Sequence, residues 1–187
     1  MSLARTFGVI GISLFTLDNP HLRQLADSAV AEGRRLGYEV QVVGSAMDGE
    51  RQAWQVETFV TNGVCAIALA PVDALRIGRA ICAANAAGVP VFTVDTACSD
   101  PNARVVAHVA TDNYGGGKQI AHALVSALGE RGGTVAIVHN PLLESCQERV
   151  RGFKKVLAAH NAKGAGPVRI VVEETGGTER SGGCAAA

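Results

Sequence analysis

Short apolar runs rich in β-branched residues recur along the chain at 7–14, 38–43, 64–70, 89–95, 105–111, 134–140 and 168–173. Most are apolar without interruption, which predicts strands covered on both faces, as in a parallel sheet with helices on either side. Amphipathic segments at 20–37, 49–63, 73–88, 113–130 and 143–161 separate them and predict helices,. Several of these segments have readable ends. Pro20 suits a first helical turn, Asp73 and Asp112 suit N-caps, and Gly37, Gly63 and Gly88 stand where a C-terminal glycine belongs,. The strand starts near 7, 38, 64 and 89 space the repeating β-α unit at roughly 30 residues, which fits a right-handed crossover,.

One junction breaks this rhythm. The strand ending at Asp95 leads through 96–104 into another strand with no helix between, and this is read as a crossover between lobes. The expected division is an N-terminal α/β lobe over 1–104 and a partial C-terminal lobe over 105–187, with the hinge crossover at about 96–112. The second lobe shows two β-α units, and a third helix is expected to start near Thr178.

Composition removes several classes of function. The 187 residues carry 17 Lys+Arg against 17 Asp+Glu and are 48% hydrophobic, so a packed core is affordable and a basic footprint for nucleic acid is missing,. No apolar stretch approaches the roughly 18 to 20 residues of a membrane span. The opening run at 7–14 reads as a first strand, so an export signal is not expected within this chain,. The five cysteines include no CxxC pair, and Cys65 and Cys82 are read as core residues,.

Enzyme motifs fail when tested. GVIGIS at 8–13 is not a dinucleotide loop, and GGGK at 115–118 has Asp112 where a phosphate-binding loop needs glycine,. There is no GxSxG or HExxH, and the five histidines stand at no ligand spacing,. No catalytic residue, metal or cofactor is expected. In open α/β sheets ligands bind beyond the carboxyl ends of the strands. The polar residues there are Thr16, Asp18 and Asn19 after the first strand, Asp73 after the third, Asp95 and Thr96 after the fourth, and His139 and Asn140 after the sixth, with Arg149 further on. Such a set suits a neutral polyol: a carboxylate accepts two hydroxyl protons, while Asn and Arg donate to hydroxyl oxygens. Bland readings stand beside this one. Asn19-Pro20 is also an ordinary helix start, Arg149 could be a solvated residue paired with Glu144 or Glu148, and Trp54 is read as core,.

Residues 14–40, 88–98, 105–124 and 148–157 together carry a family resemblance. In collinear order they resemble the periplasmic sugar-binding proteins of ABC transporters, in the ribose-binding-like type I group. The resemblance implies two Rossmann-like three-layer lobes with parallel sheets, the second incomplete here, closing about a hinge over a small sugar that a membrane permease then receives. It also implies a periplasmic location, and a monomer with no nucleic-acid partner is expected. The family's ligand-contacting Asn falls on Asn19, its hydroxyl-clamping Asp on Asp95 and its second-lobe Arg on Arg149, and Asp112-Asn113 match the start of the second lobe. The chain departs from the pattern at His21 and Leu22, often aromatic in the family, at Thr96, often Arg, and at Phe15, often Ser. Phe15 is expected to supply the missing stacking face. The alternatives are the effector-binding domain of a lactose-repressor-like regulator, which needs a basic helix-turn-helix ahead of residue 7, and a flavodoxin-like enzyme, which needs a glycine loop after the first strand.

Overall fold

A computed structural model describes residues 7–141, 143–164, 166–176 and 180–186. The chain forms two compact units, Met1–Ala110 and Thr111–Ala187.

The first unit contains β1 (Val9–Leu14), α1 (Pro20–Arg35), β2 (Glu39–Gly44), α2 (Gly49–Thr61), β3 (Ala66–Ala70), α3 (Gly78–Ala86), β4 (Val91–Val94) and β5 (His108–Val109). All pairings are parallel, in the order β2-β1-β3-β4-β5. Strand side chains alternate between two cores. Ile12, Leu14 and Ala70 meet Leu22 and Ala26 of α1 on one face. Ile67, Leu69 and Val91 meet Val56, Phe59, Ile81 and Ala84 of α2 and α3 on the other. Burying each large aliphatic side chain contributes roughly 1.5–3 kcal/mol. Gly11, in the GVIGIS run that fails as a dinucleotide loop, lets the Phe59 ring lie directly on β1.

Helix ends follow the sequence closely at α1, where Pro20 opens the first turn and Asn19 is the N-cap. The left-handed Gly37, Gly63 and Gly88 (φ +85°, +70° and +77°) follow α1, α2 and α3. The segment at 73–88 behaves differently. Asp73 Oδ1 accepts from the N–H groups of Leu75 and Arg76, both at 2.9 Å, and caps a turn, with α3 beginning only at Gly78.

Residues 105–111, expected to open the second lobe, instead supply β5 to the edge of the first sheet. Thr93 Oγ1 lies 2.9 Å from His108 Nδ1 and reinforces this pairing. Two more readings are corrected. Trp54 is 64% exposed, because the buried stripe of α2 runs through Gln52, Gln55, Val56 and Phe59. Cys65 is exposed and Cys82 half-buried, so neither is a core residue.

The second unit contains α4 (Asn113–Leu128), β6 (Gly133–His139), α5 (Glu144–Asn161), β7 (Val168–Thr175) and α6 (Arg180–Ala186). Strands β6 and β7 form a parallel pair. The start of a third helix at Thr178 lies outside the described residues. Strand burial on both faces fails here: Val138, Val171 and Val172 are exposed, since among the described residues this sheet has two strands. Those two helices cross at backbone contact. A β-carbon on Gly117 would overlap the Arg149 carbonyl, and one on Gly152 would overlap that of Tyr114.

Candidate functional site: the carboxyl ends of the strands

In the first sheet β1 lies between β2 and β3, so the order reverses there and a crevice opens beyond the carboxyl ends of β1 and β3,. The loops around it are anchored by two buried glutamines of α2. Gln52 Nε2 donates to Ala70 O and its Oε1 accepts from Val72 N, both at 2.8 Å. Gln55 Oε1 accepts from Ser13 Oγ at 2.8 Å, and its Nε2 donates to Gly44 O at 3.1 Å. Sequence reasoning missed this anchor, because hydropathy places glutamine on the surface.

Asp95 directly follows β4 with φ +62°, a left-handed conformation in a residue that carries a side chain. Thr96 N donates to Val94 O at 2.6 Å, closing a three-residue turn centred on Asp95, while Asp95 N donates to Val109 O at 3.0 Å. Such a turn is rare and costs on the order of 1–3 kcal/mol. It turns a half-buried carboxylate, 27% exposed, toward His21, whose Nε2 stands 3.9 Å from Asp95 Oδ1, beyond hydrogen-bond reach,.

Asn19 Oδ1 caps α1 by accepting from His21 N at 2.9 Å and Leu22 N at 3.4 Å. The helix-start reading of Asn19 is therefore correct for its oxygen. Its Nδ2 makes no hydrogen bond among the described residues and remains a donor. Phe15 is placed in the α1-side core, packed with Leu14 and Leu22 at 9% exposure. Thr96 contributes its backbone to the Asp95 turn. Asp73 is held below the usual carboxylate range by the N–H groups of Arg76 and Leu75.

In the second unit, β6 with α4 and α5 frames a concavity of about 330 Å³ lined by Ile120, His139, Cys146, Arg149 and Phe153, among others. Arg149 is exposed and unpaired among the described residues. The ion pair considered for it belongs to Arg151, whose Nη2 donates to Glu148 Oε2 at 2.6 Å. His139 is 14% exposed, with Nε2 3.2 Å from Glu173 Oε1. Glu173 also accepts from Lys154 Nζ at 2.6 Å. The Lys154 hydrogen bond holds the Glu173 carboxyl below its usual range, and the charges of Lys154 and His139 reinforce it. No sequence signal marks this trio, whose members come from β6, α5 and β7. His139 Nδ1 and Asn113 Oδ1 are buried without a partner among the described residues.

Each of the two units is built on parallel strands, in the order β2-β1-β3-β4-β5 in the first and β6-β7 in the second. The chain matches the periplasmic binding protein domain family over residues 10–182 and belongs to it. It is 30% identical to the ribose import binding protein RbsB of Haemophilus influenzae, over 85% of this chain and 54% of that protein. It is 33% identical to the Bacillus subtilis RbsB, over 79% of this chain and 48% of that one. The chain spans about half the length of these curated relatives. Among solved structures it resembles the Caulobacter myo-inositol binding protein bound to myo-inositol, with TM-score 0.80, 26% identity, and coverage of 97% of this chain and 60% of that one. It also resembles an ABC transporter solute binding protein from Mycobacterium smegmatis with bound glycerol, with TM-score 0.84, 26% identity, and coverage of 96% and 60%.

Proposed function

We propose that this protein captures a small sugar or polyol in the periplasm and delivers it to the permease of an ABC transporter, binding as a monomer without chemical conversion. The observation that carries this reading is the Asp95 carboxylate, held in a strained turn at the end of β4. A left-handed Asp where glycine would be relaxed argues for a side chain retained for what it binds. In the first unit Asp95 accepts two hydroxyl protons, Asn19 donates through Nδ2 and His21 lies beside the carboxylate; in the second, Arg149 donates to hydroxyl oxygens. The relatives are import binding proteins, which favours uptake over gene regulation. Ribose, D-apiose, xylitol and myo-inositol, named for relatives and a structural neighbour, define the first panel of ligands.

Thermal melts of the chain with each compound test the proposal. A ligand at a hundred times its Kd adds about 2.7 kcal/mol to the native state. A shift confined to one or two compounds and absent in Asp95→Ala is expected. Equal shifts in the wild type and Asp95→Ala would remove Asp95 from the site, and a melt unmoved by any sugar or polyol would overturn the ligand class.

A further inference from the structure

A second concavity of the second unit, about 340 Å³, lies along the outer seam of α4 and α5. From α4 it is lined by Tyr114, Lys118 and His122, spaced four residues apart on one helix face,. From α5 and the turn after it come Lys155, His160 and Lys163, and among the described residues no carboxylate lines it. The two faces thus oppose cation to cation.

The surroundings do not neutralise this charge. Among the described residues Lys118, Lys155 and Lys163 pair with no carboxylate, whereas the adjacent Lys154 is taken by Glu173. The nearby Glu148 is engaged by Arg151. The Tyr114 ring carries two cations, with the Arg151 guanidinium 4.8 Å and the Lys118 ammonium 5.7 Å from its centroid. His160 Nε2 lies 3.0 Å from Gly166 O and donates to it, so this ring is fixed in the groove wall. In a chain whose charges balance at 17 and 17, three unpaired lysines around one groove are a local segregation of charge. A bound anion would relieve their mutual repulsion. Below them Val125 and Val156 line the groove along with the lysine stems, which also present apolar surface,.

We infer that the α4–α5 groove is a phosphate-binding site, independent of the sugar-binding residues, in which Lys118, Lys155 and Lys163 converge on a phosphate group. Flexible ammonium groups act as point charges suited to phosphate oxygens arriving at several angles. The same chemistry serves a free phosphate compound or the phosphate of an anionic lipid headgroup.

Pyrophosphate titrated into the full chain at low salt, followed by backbone amide shifts, tests the site. The largest shifts are expected around Lys118, His122, Lys155 and Lys163. Affinity is expected to be about tenfold weaker in Lys118→Gln/Lys155→Gln/Lys163→Gln. Arg34→Gln/Arg79→Gln/Arg104→Gln removes equal charge from the first unit and should leave binding unchanged. Co-sedimentation with phosphatidylglycerol vesicles, against phosphatidylcholine vesicles, separates the sources. Lysine-dependent binding to the anionic vesicles identifies a lipid headgroup, and binding of pyrophosphate alone identifies a soluble phosphate. Equal losses in the two triple variants, or no binding to either probe by a wild-type chain with a cooperative melt, would overturn the site. The sugar response is measured separately on the same variants and should persist in all of them.

Discussion

Gly117 of α4 lies directly beneath the Arg149 carbonyl of α5, so close that a β-carbon would overlap that oxygen. The middle glycine of the same run, Gly116, has open space around it. Two alanine substitutions one residue apart should therefore have opposite signs. Gly116→Ala is expected to stabilise by about 0.5–1 kcal/mol through helix propensity. Gly117→Ala should destabilise by roughly 1–3 kcal/mol by forcing α5 outward, and with it the residue proposed to donate to ligand hydroxyls. Urea unfolding of both variants decides it, and matching signs would refute the close crossing.

Asp95 sets stability against binding. Replacing it with glycine removes the cost of a side chain at φ +62°. Asp95→Gly is expected to raise the melting temperature, by an amount corresponding to about 1 kcal/mol, and to abolish any ligand-induced shift. A variant that melts lower than the wild type would show that the turn is not strained.

Gln52 is buried and doubly bonded to Ala70 and Val72. Gln52→Leu fills a similar volume but orphans a carbonyl and an N–H. Chemical denaturation should show a loss of roughly 2 kcal/mol or more, since each buried group left unmade costs about 1–3 kcal/mol. A near-neutral result would mean that water replaces the amide.

Glu173 has its folded pKa lowered by Lys154. Its contribution is therefore present above the unfolded carboxylate value and is lost as pH falls through the folded one. Urea midpoints of the wild type and Glu173→Gln should differ at pH 7 and converge on acidification toward pH 3. Because the pair is partly exposed the gap should be small and shrink with added salt,. A gap that widens in acid would reverse the assignment.

The strands and helices were legible because parallel strands covered by helices leave unbroken apolar runs, and because Pro20, Asn19 and the left-handed glycines mark the helix ends. The lobe boundary was harder to read. Residues 105–111 have strand character, but only the hydrogen bonds to β4 show which sheet they join. Trp54 was misjudged since hydropathy ranks tryptophan above glutamine, whereas α2 buries Gln52 and Gln55 by satisfying every amide atom. Among the proposed ligand contacts, position in the sequence singles out Asp95 in the first unit and Arg149 in the second. The turn geometry of one, and the transfer of Glu148 to Arg151 that leaves the other unpaired, depend on backbone angles and rotamers that spacing does not encode.

The two glutamines give α2 a further property. Bolted on its inner side to the ends of β1, β2 and β3, the helix cannot tilt unless the rim of the crevice travels with it. On its outer side it carries the sole tryptophan of the chain, in contact with water. The chain's one indole therefore rides on the element tied to the strand ends, where its emission can be followed without attaching a dye.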